Sequence, residues 1–144
     1  MANDNYGYRY GKRLLVKYPV DASTSDIVEG DMLILGDGTT GTAGYVLQAS
    51  AGDLCFGFAA EGVSSPSTDG DVSILVDVSD QSVYEFAPDA GSVTQAIVGL
   101  TCDVGGARTI NIDASTDDCI LIRSVDTAAN TLRISKVRSE AGVV

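Results

Sequence analysis

Short stretches in which apolar and polar residues alternate, each closed by a turn signal, recur along the 144-residue chain. In Val72-Ser73-Ile74-Leu75-Val76-Asp77-Val78 the even-numbered residues are all apolar. On an extended backbone they fall on one face, because side chains alternate sides along a strand. The same period appears at Leu14–Tyr18, Ser82–Phe86, Arg108–Asp113, Cys119–Val125 and Thr131–Lys136. A longer run places Ala96, Val98, Leu100, Cys102 and Val104 on one apolar face, with Ile97, Gly99, Thr101 and Asp103 on the other. Continuous apolar runs at Met32–Leu35, Gly44–Leu47 and Leu54–Ala60 fit strands covered on both sides or set in a barrel wall. About ten strands are expected.

The separators are residues that make tight turns: Gly36-Asp37-Gly38, Asp69-Gly70-Asp71, Gly105-Gly106, and Asn130 before Thr131. Gly-Asp launches an apolar run three times, at Gly30-Asp31, Gly52-Asp53 and Gly70-Asp71, at unequal offsets that indicate shared hairpin geometry and not a sequence repeat. Val, Ile and Thr number 16, 9 and 11, against only three Lys and four Glu, so the composition favours strands over helices. The fold class expected is all-β: a single-domain antiparallel barrel or sandwich. Its parts are an extended N-terminal arm over residues 1–13, a β domain over 14–138 and a C-terminal tail over 139–144.

Charge divides the chain differently. Arg9, Lys12, Arg13 and Lys17 lie near the start and Arg108, Arg123, Arg133, Lys136 and Arg138 near the end. The residues from Tyr18 to Ala107 carry no cation and fourteen carboxylates, and the net charge is −11. The leader alternates Tyr6, Tyr8 and Tyr10 with Gly7, Arg9 and Gly11, followed by Lys12 and Arg13. Extended, it would set three aromatics on one side and Arg9 on the other. Tyr and Arg dominate buried interface energetics, so Tyr6, Tyr8, Arg9, Tyr10, Lys12 and Arg13 are the expected interface residues. A weakly sticky terminus is the competing reading. Nucleic acid is not the expected partner, because four cations beside so acidic a body give a weak, salt-labile contact.

Several chemistries are missing. The chain has no His, hence no Ser-His or Cys-His nucleophile pair, and it lacks a Gly-x-Ser-x-Gly elbow and a phosphate-binding Gly-Lys-Ser/Thr loop. Asp117 and Asp118 are adjacent and would point to opposite faces of a strand, a poor acid–base pair. Asp69, Asp71, Asp77 and Asp80 lack the spacing of a calcium loop and read as solvated turn residues. Cys55, Cys102 and Cys119 match no zinc spacing and read as buried free thiols. No enzyme activity, cofactor or metal is expected. The start has no apolar leader segment and no apolar run is long enough to span a membrane, so a cytosol-like compartment and no membrane partner are expected.

Gly30-Asp31 opening an apolar strand, then Ala51-Gly52-Asp53, then Phe56-Gly57-Phe58-Ala59-Ala60-Glu61-Gly62-Val63, resembles the small β-barrel capsid decoration (cement) proteins of tailed bacteriophages. The segments Ile97–Val104, Asp117–Arg123 and Asn130–Ile134 also look like structural proteins of marine and cyanobacterial phages. The resemblance implies a non-enzymatic protein made in the host cytoplasm and placed on the outside of the virion. There it would bind the major capsid protein and itself, as a dimer or trimer, and bridge capsomers. A phage tail or connector component and a carbohydrate-binding β-sandwich are the alternatives.

Overall fold

A computed structural model describes residues 6–137. The strands are β1 (Gly7–Tyr10), β2 (Leu15–Pro19), β3 (Met32–Leu35), β4 (Val46–Gln48), β5 (Gly57–Ala59), β6 (Ser73–Asp77), β7 (Val83–Pro88), β8 (Thr101–Val104), β9 (Thr109–Asn111), β10 (Ile120–Asp126) and β11 (Thr131–Lys136). A 3-10 turn, Gln95–Ile97, precedes β8. The all-β expectation holds. Each of the ten runs named from the sequence overlaps one strand, and the eleventh, β1, comes from the leader.

The strands form two sheets, ordered β1-β7-β11-β10-β8-β9 and β2-β6-β5-β3-β4. In the first, β9 also pairs in parallel with the far end of β7, Ala87 to Thr109 and Pro88 to Ile110, so five strands close into a ring and β1 occupies the rest of that edge of β7. The second sheet curls until its outer strands touch, through a single parallel bridge between Val20 and Val46. One apolar cluster lies within the curl of the second sheet, and the other draws residues from both sheets, as a barrel or sandwich requires.

Alternation builds this packing. In β3, Leu33 enters a cluster with Val20, Val46, Ala59, Ile74 and Val76, inside the second sheet. Its neighbours Met32 and Ile34 point the other way and join Phe58, Tyr84, Phe86, Val104, Ile110, Ile120, Ile122, Leu132 and Ile134. Phe58 stacks on Tyr84, with ring centroids 3.9 Å apart, and thereby clamps β5 of one sheet to β7 of the other. Gly57 lets β5 approach β6 closely, since a β-carbon there would lie 2.6 Å from a Val76 methyl and 2.7 Å from the Asp77 carbonyl.

Three expectations need correction. The leader is extended, but from Tyr6 onward it lies on the body: β1 pairs antiparallel with β7, Gly7 opposite Glu85 and Tyr8 opposite Tyr84, and Tyr6 is 8 % exposed. Apolar area and ladder hydrogen bonds are available along the open edge of β7, so the aromatic leader is spent there. The long alternating run at 96–104 is a strand only from Thr101. Gly99 takes a left-handed φ of 90°, the preceding residues turn, and Ala96 and Leu100 are exposed. Cys102 and Val104 keep their inward face. Finally, not every turn carboxylate is solvated: Asp21, Asp31, Asp77 and Asp103 are buried. The tail 139–144 and residues 1–5 of the arm lie outside the described residues.

Candidate interaction face

The alternation of β7 sends Tyr84 and Phe86 into the core and turns Glu85 outward, between Gly7 of β1 and Arg133 of β11. Two cations converge on it. Arg9 Nε lies 3.2 Å and Arg133 Nε 3.1 Å from the same oxygen, Glu85 Oε1, while the Thr131 hydroxyl donates to Oε2 at 2.8 Å. Partial burial pushes the Glu85 carboxyl up, but hydrogen bonds from Thr131, Arg133 and Arg9 outweigh it and hold the group below the usual carboxylate range. Two guanidinium groups thus meet on Glu85, with the Asp126 carboxylate nearby, so charge is balanced locally on an otherwise acidic protein.

Tyr10 completes the face. The ladder shifts register between Tyr8 and Tyr10, a bulge that puts Tyr10 outside the core, where it is 49 % exposed. The Arg133 guanidinium lies 5.9 Å from the Tyr10 ring centroid, within cation–π range. Arg133 also lines an open groove of about 420 Å³ with Ser124, Asp126, Thr127 and Thr131. An exposed aromatic, an arginine shared with it and a polar groove therefore meet on the outer face of β1, β7 and β11.

The six leader residues separate. Arg9 and Tyr10 belong to this face. Tyr6 stacks on Phe86 (6.1 Å) in the core, and Tyr8, half-buried, packs against it edge-on to Tyr84 (5.5 Å). Arg13 turns inward: its guanidinium lies 4.4 Å over the Tyr8 ring, and its Nε stands 3.5 Å from Asp77, which also accepts the Tyr84 hydroxyl at 2.8 Å. Lys12 is exposed near the start of β2. Sequence reading missed Glu85, Thr131 and Arg133. Their only signal was the polar face of two short strands, and which strands become neighbours cannot be read from periodicity.

The remaining polar clusters hold the fold. Asp31, fully buried, receives Arg108 Nε at 2.6 Å, Gln48 Nε2 at 2.7 Å and the Val28 N–H at 2.9 Å. Asp103 accepts the backbone N–H groups of Thr116, Asp117 and Asp118. Cys55, Cys102 and Cys119 are free and buried, and burial pushes the Cys102 thiol up to about 12 and the other two upward. Among the described residues no group of three His, Cys, Asp or Glu is arranged to hold a metal ion, and no helix is long and apolar enough to cross a membrane. Comparison with protein-family models, curated proteins and solved structures found no match.

Proposed function

We propose that this is a non-enzymatic viral structural protein that binds the outer surface of a phage capsid and stabilises the shell by bridging capsomers. The observation that carries the reading is the Tyr10–Arg133–Arg9 face: an exposed aromatic beside two arginines that share Glu85, on a chain of net charge −11. Such a face favours a protein partner with a complementary polar rim, while the acidic remainder of the surface stays in solvent. The resemblance of residues 30–63 to capsid decoration proteins supplies the partner class.

The test is to mix the purified protein with shells assembled from a tailed-phage major capsid protein and to measure occupancy by cosedimentation. Tyr10→Ala and Arg133→Gln should each reduce apparent affinity by roughly tenfold, the loss of one good interface contact. Shells that take up no protein remove the proposal. Unchanged affinity in both variants removes this face as the contact.

The groove beside Tyr10 favours a second reading, a carbohydrate-binding module, since an aromatic next to Ser, Thr and Asp side chains can stack on a sugar and bond its hydroxyls. Retention on polysaccharide beads, lost in Tyr10→Ala, would select that reading instead.

A further inference from the structure

The strand β2 has one edge that no described strand covers. Leu15 to Pro19 pair with Asp77 to Ser73 of β6 in continuous antiparallel register. The Val78 N–H donates to the Leu14 carbonyl and the Val20 N–H to the Val72 carbonyl, so the even-numbered residues turn their backbone groups toward β6. Leu15 and Lys17 therefore point their N–H and C=O the opposite way. Along that edge the first strand contact among the described residues comes only at the Val20–Val46 bridge, followed by the Asp21 N–H donating to the Val46 carbonyl.

Proteins usually blunt an open edge, and Pro19, with no N–H, does so at one end. The start of the strand is not blunted. Leu14, Leu15 and Val16 are 57, 44 and 36 % exposed, a continuous apolar stretch on both faces of the edge. Charge then favours one occupant. The β2 approach begins with the exposed Lys12, while the turn beside its far end carries Asp69 and the exposed Asp71. Asp21 and Asp69 meet there at Thr42, and Gly70 donates to the Val20 carbonyl. A strand that is cationic at one end and acidic at the other is complementary to its own antiparallel copy.

We propose that a second copy of this chain pairs with β2 across a twofold axis at Val16, joining the two second sheets into one continuous sheet. In that register Leu15 of each protomer exchanges both backbone hydrogen bonds with Lys17 of the other, and the two Val16 side chains meet on the axis. Pairing stops before Val20, where Val46 already holds the edge, and the Lys12 side chain of one protomer faces the Asp71 end of its partner. The contact is isologous and closes as a dimer. It uses a surface distinct from the Tyr10 face and stands whatever that face binds.

Sedimentation equilibrium of the full chain tests this. The wild-type protein should show a monomer–dimer equilibrium. Lys17→Pro removes an outward N–H without touching the ladder to β6, and Val16→Glu sets two carboxylates on the axis; each should weaken the dimer about tenfold or more while the thermal midpoint of the monomer stays nearly unchanged. Lys12→Glu should also weaken it, and Asp71→Lys in the same chain should restore it, because the two positions stand at opposite ends of β2 and meet only across the axis. A monomer at every concentration, or a dimer indifferent to both Lys17→Pro and Val16→Glu, overturns the proposal. Failure of the Asp71→Lys rescue overturns the antiparallel arrangement.

Discussion

The carboxylates of this chain do more than carry charge. Asp37 accepts the N–H groups of Thr39 and Thr40 in the turn between β3 and β4, Asp126 those of Ala128 and Ala129, and Asp53 that of Ser50, so acidic side chains fasten loops from within. Asp103 is the strongest case because it is 4 % exposed and accepts three successive N–H groups, those of Thr116, Asp117 and Asp118. Hydrogen bonds to a charged acceptor contribute more than neutral ones, and a buried donor left unpaired costs more still. Asp103→Ala should therefore lower unfolding free energy by about 3 kcal/mol, read from the denaturant midpoint at constant slope. Asp103→Asn, which keeps one acceptor oxygen, should lose about half as much. A change within experimental error for both would show that loop 113–118 is not anchored there.

At the scale of elements, the decisive one is β1. It covers the edge of β7 not used by β9, and the rings of Tyr8 and of Tyr6 just before it extend the aromatic row of Phe58, Tyr84 and Phe86. Gly11, at φ 100°, then turns the chain toward β2 against Gln81, where any side chain would strike the backbone. The leader is thus part of the folding unit. Tyr6→Ala should cost about 3 kcal/mol, as for a large aromatic removed from a core. Removing residues 1–11 should cost more, because it also strips the β7 edge and uncovers Tyr84 and Phe86. Circular dichroism melts of both variants check this, and a truncated chain that melts like the full one would return the leader to the status of an appendage.

For the molecule as a whole, the pH dependence follows from which groups are buried. Asp21, Asp37 and Glu85 titrate below their ordinary values of 3.8, 3.8 and 4.5. For Asp21 and Glu85 burial opposes the shift and hydrogen bonds outweigh it; for Asp37 the N–H groups of Thr40 and Thr39 produce it. In acid the unfolded chain takes up these protons first, so their contribution is present above those ordinary values and is lost as pH falls through the lowered ones. The thiols act at the other end. Unfolded cysteine ionises near 9.0 whereas Cys102 holds its proton to about 12, so stability falls as pH rises from the first value toward the second. Unfolding free energy should be flat between about 5 and 8.5 and decline on both sides. Replacing Cys55, Cys102 and Cys119 together with Ala should flatten the alkaline limb, and an unchanged limb would mean the decline comes from other groups, such as Tyr84, whose hydroxyl burial also pushes up.

The strands were legible in the residues because a period of two needs only the local backbone: Met32–Leu35 was bounded to the residue, and Cys102 and Val104 were placed on one inward face. Turn residues were legible for the same reason, and Asn130 does take a left-handed φ of 56° between β10 and β11. What periodicity does not encode is which edge meets which. The pairing of β1 with β7, the return of β9 to β7, and the meeting of Arg9 with Arg133 on Glu85 join residues far apart in the chain. Those contacts depend on how two curled sheets use their free edges and buried area. The tyrosine leader had the same local pattern whether it reached for a partner or for its own core, and the open aromatic edge of β7 decided where Tyr6 and Tyr8 went.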